Sequence, residues 1–410
     1  AAAAAIVNAA ENGVWDAPCI GIIFIWEETG MKTVLLTCRT GQGHNSAALA
    51  VRQALEARDA ECEIKDALAF LGDNVSESIT NAFVNIAVKT PRAFGFMYAA
   101  GEFLSSERRK SPVYFANALY AENLQRYLVE NDIDAAVCPH LFPAEALTYL
   151  RKKHHLSART YFVSTDYTCI PFLEETETDA VFTPHADLNP LFVRRGIPAG
   201  LLVSSGIPVQ AAYAARTERD DARVALDLPR ATPCFLVMTG GEGCGNALEL
   251  TKKLIERLGG RDARIVVMSG RNTRLLQSLE GSFAGDARVL AVPFTDQVPL
   301  YMDACDVLLT KPGGISSTEA AVKGIPMVHT PPIPGVEALN AQFFAERGMS
   351  VLAPDETSAA DNAVRLSGDA PQRARMLDAQ KQYVCAGAAD VIAARILGVR
   401  DGAGEAALPV

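Results

Sequence analysis

The sequence predicts an α/β protein built from two Rossmann-like, doubly wound domains that face each other across a cleft. Three observations carry this. From Met31 onward, short β-branched runs alternate with helical patterns, the signature of parallel α/β architecture. The runs fall into two series, near 33–38, 61–66, 135–138, 159–164, 179–183 and 201–203, then near 234–239, 264–268, 287–292, 306–310 and 326–330. Between them lies "SSGIPVQAAYAARTERDD", a Gly-Pro turn followed by polar residues, which suits an interdomain linker and sets a boundary at about Gly206.

Along the chain, residues 1–30 read as an extraneous or disordered leader. Their alanine run and the patch "CIGIIFIW" are too short to span a bilayer, and Met31 reads as the working start. The first domain is placed at 31–205 and the second at 206–370. Residues 371–397 read as one long helix, and the tail after Gly398, within a 371–410 terminal segment, as disordered. Doubly wound domains bind ligands at the carboxyl ends of their strands, so the cleft is the expected site.

Composition narrows the function classes. A chain of 410 residues has room for two proper cores. Its 49% apolar content and mean hydropathy of +0.10 describe a folded protein on the greasy side of soluble. A formal charge of −10 argues against a general nucleic-acid binder. The nine cysteines contain no C-x-x-C and suit reduced thiols in a cytoplasm better than a disulfide framework or zinc site. No stretch approaches the ~18 uninterrupted apolar residues of a membrane span, so any membrane contact is expected to be peripheral.

Chemistry concentrates at strand ends. "DVLLTKPGGISSTEAAVKGIPMV" (Asp306 to Val328) runs strand, glycine turn, helix, strand. Gly313 and Gly314 let backbone approach a ligand closely. Ile315, Ser316, Ser317 and Thr318 open a helix whose free N–H groups favour an anion, and Lys311 adds charge. Glu319, one turn in, is placed to accept hydrogen bonds from sugar hydroxyls, as acidic residues do with ribose in dinucleotide sites. Further strand ends carry Gly240 and Gly241, then Gly270, Arg271 and Asn272, then Phe294, and finally the Pro-rich loop with Gly335, Val336, Glu337 and Asn340. Such clustering suits a diphosphate with sugars attached. Near the start, "TCRTGQGHNSAALAVRQAL" places Gly43 and His44 behind a strand but lacks the lysine of a P-loop.

Strand–"KPGG"–"STEA" followed by "PIPGVE" and Asn340, together with "GQGH", "PHLFPAEAL" and "VSTDY", resembles the MGDG-synthase-like and processive diacylglycerol glycosyltransferases. The likeness runs from Met31 to about residue 350. It implies the GT-B fold, with acceptor in the first domain and UDP-sugar in the second. It further implies a hexose moved with inversion onto a membrane lipid, diacylglycerol above all, in glycolipid synthesis. A UDP-N-acetylglucosamine transferase to a polyprenyl-linked acceptor, a UDP-N-acetylglucosamine 2-epimerase and a non-catalytic UDP-sugar or lipid sensor are the alternatives. His44 resembles the acceptor-activating base, a role that an imidazole with an ordinary pKa near 6.5 suits.

No cofactor and no metal are expected. The one D-x-D, Asp132-Ile133-Asp134, precedes its strand and so sits at the wrong end for the cleft. Asp166 is a candidate to orient His44 or touch acceptor, with a structural turn as the alternative. Phe94, Phe96, Arg108, Arg109 and Lys110 suit docking on an anionic membrane surface, or else an ordinary helix with a charged turn. That reading places the protein in the cytoplasm, peripheral on the inner face of the cell membrane. One departure stands out: the family's loop usually reads Pro-Gly-Gln-Glu, and Val336 cannot offer a glutamine's hydrogen bonds to a sugar.

Overall fold

The computed structural model describes residues 30–38, 42–72, 110–154, 156–240 and 246–398. Its first sheet contains β1 (Lys32–Thr37), β2 (Glu61–Asp66), β3 (Ala135–Cys138), β4 (Arg159–Val163), β5 (Ala180–Thr183) and β6 (Leu202–Ser204), all parallel in the order β2-β1-β3-β4-β5-β6. Helices α1 (Gln42–Glu56), α2 (Pro112–Ala118), α3 (Ala121–Glu130), α4 (Leu141–His154) and α5 (Asn189–Arg194) belong with it. Val34, Leu35, Leu36 and Val137 are fully buried, with no polar alternation, because helices cover both faces. Leu36, Leu124, Leu147 and Phe162 fill one side; Leu35, Leu55, Val137 and Phe182 fill the other.

The second sheet contains β7 (Cys234–Met238), β8 (Arg264–Gly270), β9 (Val289–Pro293), β10 (Val307–Thr310), β11 (Met327–His329) and β12 (Val351–Leu352), in the order β12-β11-β10-β7-β8-β9. Around it run α6 (Ala211–Ala214), α7 (Arg219–Ala225), α8 (Ala247–Leu258), α9 (Thr273–Phe283), α10 (Val298–Ala304), α11 (Gly314–Lys323), α12 (Val336–Glu346), α13 (Glu356–Gly368) and α14 (Ala370–Tyr383), and the chain then returns to the first sheet as α15 (Ala388–Leu397). The strand order reverses direction between β1 and β3 in the first sheet and between β7 and β10 in the second. At such points the flanking loops diverge and leave a crevice. The two-domain α/β expectation holds.

The single helix expected over 371–397 is two. Gln380 of α14 donates to Ile325 and Met349 carbonyls at 3.1 and 3.0 Å, tying α14 to the second sheet. Ala389, Ile392, Ala393 and Ile396 of α15 instead pack with Leu35, Val137 and Phe182 under the first. A straight rod could not serve both, and the chain turns at Cys385–Gly387. There it meets its own outward passage: Gly206 has φ +87°, and a Cβ on it would lie 2.9 Å from that of Cys385 and 3.2 Å from that of Ala388. Asp134 accepts from the Lys32 N–H at 2.9 Å, so it pins the start of β1, at the opposite end of the sheet from the crevice.

Candidate active site

His44 sits in the first turn of α1, directly beyond β1, and Pro139 and His140 follow β3, so the first reversal point brings them together. His44 Nδ1 lies 2.7 Å from the Pro139 carbonyl oxygen. A carbonyl only accepts, so the neutral ring carries its proton on Nδ1 and presents a lone pair on Nε2. The Thr165 hydroxyl approaches the same nitrogen at 3.3 Å. Burial lowers the His44 pKa, only partly opposed by the Asp166 carboxylate, so the ring is neutral at neutral pH. The His140 ring stands edge-on to His44 at 4.6 Å. Its Nδ1 accepts the Phe142 N–H at 3.2 Å at the start of α4, so its own proton is on Nε2. Burial, then the proximity of His44, pushes its pKa well down.

The second reversal point faces this one. Gly240 has φ +84°, and a Cβ there would come within 3.0 Å of the Lys311 side chain. Lys311 Nζ pairs with Glu337 Oε1 at 2.9 Å, while Glu337 Oε2 accepts the Ile333 N–H at 3.1 Å. Gly314 opens α11 against the first half of the chain: a Cβ there would lie 2.1 Å from the Thr165 carbonyl oxygen. Gly43 meets Ile315 in the same way at 3.3 Å.

Asn340 bridges the halves. Its Oδ1 accepts the Tyr167 N–H at 2.7 Å, and its Nδ2 donates to Asp166 Oδ1 at 2.8 Å and to the Pro312 carbonyl at 3.1 Å. Burial raises the Asp166 pKa, offset in part by the Asn340 hydrogen bond and by one from the Gly314 N–H. Buried Glu319 accepts the Ser46 hydroxyl at 2.9 Å and a hydrogen bond from Tyr213, and burial pushes its pKa up to about 7.

The structure sorts the remaining candidates. Arg271 and Phe294 meet at the ends of β8 and β9, the guanidinium 4.7 Å above the ring, and both are exposed. Asn272 caps α9 by accepting the Leu275 N–H at 2.9 Å, beside Gly270 with φ +58°. Gly335 has φ +109° before half-buried Val336, the first residue of α12. Gly313 and Ser316 are also half-buried on the cleft-side turn. Ser317 corrects the expectation: it points into the core, its Oγ 3.0 Å from His329 Nε2. The phase of the helix, set by Ile315 and Thr318 packing on the first half, turns Ser317 the other way.

Lys110 is likewise drawn inward, donating to the Glu175 carbonyl at 2.5 Å and lying over the Tyr114 ring. Gly241, Phe94, Phe96, Arg108 and Arg109 lie outside the described residues. Sequence reasoning missed Ser46, Thr165, Tyr213 and His140. His140 had a signal, a histidine directly after a strand at a reversal of strand order; the others had none, because their partners are distant in the sequence, Glu319 for Ser46 and Tyr213, and His44 for Thr165.

Residues 44–209 match the family described as monogalactosyldiacylglycerol (MGDG) synthase. Proteins named processive diacylglycerol β-glucosyltransferase from Bacillus thuringiensis (strain Al Hakam) and Bacillus cereus (strain AH187) are each 25% identical over 375 residues, covering 89% of this chain and 93% of theirs. Among solved structures, MurG of Acinetobacter baumannii aligns with a TM-score of 0.60 at 14% identity, over 90% of this chain and 99% of its own. S. aureus MnaA, solved with UDP, aligns with a TM-score of 0.60 at 13% identity, over 90% and 98%. These two establish the GT-B fold.

Proposed function

Because the chain belongs to the MGDG-synthase-like glycosyltransferase family, we propose that it moves a hexose from a UDP-sugar to the free hydroxyl of diacylglycerol or a related membrane lipid, with inversion. The observation that carries this reading is His44, held by the Pro139 carbonyl so that Nε2 is left to take a proton. In the proposed step, Nε2 removes the acceptor hydroxyl's proton while that oxygen bonds to the anomeric carbon of the sugar. The bond from that carbon to the β-phosphate oxygen breaks, and its electron pair leaves with UDP. A half-buried, neutral imidazole suits the first event. The start of α11 and Lys311 suit the second, since fixed dipoles and a cation stabilise charge as it develops.

In this reading the exposed pair Arg271 and Phe294 takes the base, and Glu337 and Val336 are assigned to the sugar. The scheme calls for no metal, so chelator should leave turnover unchanged. Contact with the inner membrane surface is assigned to the 94–110 stretch, with Arg108 and Arg109 as its cations rather than Lys110, which is spent on Glu175. Among the described residues, no helix is long and apolar enough to cross a membrane.

The test is a donor screen with UDP-glucose, UDP-galactose, UDP-N-acetylglucosamine and UDP-glucuronate over diacylglycerol vesicles, read by product mass. A glycolipid from one donor is the expected result. UDP binding without product from any donor would turn the reading to a sensor. An isomerised UDP-sugar formed without lipid would turn it to an epimerase.

A further inference from the structure

Of the polar contacts that cross from the first half to the second, those of Asp166 and Ser46 each end on a group that a sugar nucleotide would need under the reading above. Asp166 reaches the start of the ten-residue helix α11, where the Gly314 N–H and the Asn340 amide both donate to its carboxylate. An anion thus occupies the positive end of the helix dipole. Further along the same helix, the Ser46 hydroxyl donates to Glu319 at 2.9 Å, and Gln210 holds Ser46 in place at 3.0 Å. A hydroxyl thus occupies the carboxylate suited to a sugar. Space is exclusive as well. A mere methyl on Gly314 would strike the Thr165 carbonyl oxygen, so no phosphate fits between α11 and Thr165–Asp166 while the contact stands.

We infer that Asp166 and Ser46 form an internal plug: the acceptor half holds the diphosphate and ribose contacts of the donor half, and a nucleoside diphosphate binds by displacing both side chains together. The inference rests on the UDP-sugar reading. Displacement leaves Asp166 on the His44 side of the cleft, so donor entry rearranges the surroundings of the base before acceptor arrives. A ligand that must break a closed state binds more weakly by the fraction of molecules closed.

The test uses full-length protein and UDP. Titration calorimetry on Asp166→Ala should show UDP bound about tenfold more tightly than by the native chain, and on Ser46→Ala about threefold. Ser46→Ala deletes one hydroxyl from a helix face and serves if the other variant fails to fold. Hydrogen exchange supplies a second reading. The Tyr167 N–H is held by Asn340, so UDP should speed its exchange in the native protein, where an ordinary ligand contact would slow it. Unchanged or weaker UDP binding in both variants would overturn the plug. Tightening in Asp166→Ala alone, with Tyr167 exchange unmoved, would mark simple charge repulsion and overturn it too. Absence of UDP binding to native protein and both variants would instead sink the UDP-sugar reading, and the plug with it.

Discussion

Replacing His44 with alanine separates chemistry from folding in this molecule. The residue lies in the first turn of α1, half-buried, where alanine suits the helix better than histidine. What the fold loses is one hydrogen bond, to Pro139, worth about 1 kcal/mol. What the reaction loses is its base, worth ~10²–10⁴ in rate, or about 3–5 kcal/mol of barrier. The variant should therefore melt close to the native protein, bind UDP nearly as well, and lose almost all glycosyl transfer. Its pH profile gives a finer reading. Only the neutral ring can accept a proton, and burial lowers its pKa, so the acid limb of native kcat/KM should fall below the ordinary histidine value near 6.5. The variant should lack that limb. Radiolabelled transfer to diacylglycerol vesicles across pH 5–8 measures both. A folded His44→Ala protein retaining more than about a tenth of native turnover would refute the general-base assignment.

Two other changes probe the donor half and the core. Phe294→Ala removes a ring that is 53% exposed and stacked under Arg271; UDP affinity should drop by about 1–2 kcal/mol by calorimetry with melting unaltered, and unchanged affinity would move the base elsewhere. Glu145 is fully buried with one oxygen on Asn117 at 2.6 Å, and burial raises its pKa to about 8. A raised folded pKa stabilises below the unfolded value near 4.5 and loses that contribution as pH rises through 8. Native protein should thus melt progressively lower between pH 4.5 and about 8 and level off above, and Glu145→Gln should flatten the slope; an equally steep slope in the variant would discount Glu145.

How much of this was legible beforehand depended on the range of the interaction. Buried parallel strands such as Val34–Leu36 announce themselves as apolar runs between turns, because both faces are covered. Strand β12 did not, since two residues at a sheet edge make no pattern. The break in the C-terminal helix also escaped notice. Alanine-rich sequence continues through it, and only the need to cover two different sheets forces the turn. The glycines that open α11 were readable from the backbone freedom they signal. The side chains that meet them were not, as Ser46 and Glu319 stand 273 positions apart. Ser316 and Ser317 are chemically alike, and only the helix phase decides which one the core claims. The same holds for Lys110, basic in sequence yet committed to Glu175.

Helix α15 has a consequence for biosynthesis. One face of the first sheet, the one carrying Leu35, Val137 and Phe182, is closed by Ala389, Ile392, Ala393 and Ile396. A ribosome delivers those residues after the whole second sheet has emerged. Until then the earlier-made sheet carries an uncovered greasy strip, the kind of surface that recruits chaperones or stray neighbours. The half of the protein that is translated first is thus the last to be completed, and a nascent chain stalled before residue 388 holds a finished second sheet beside an unfinished first one.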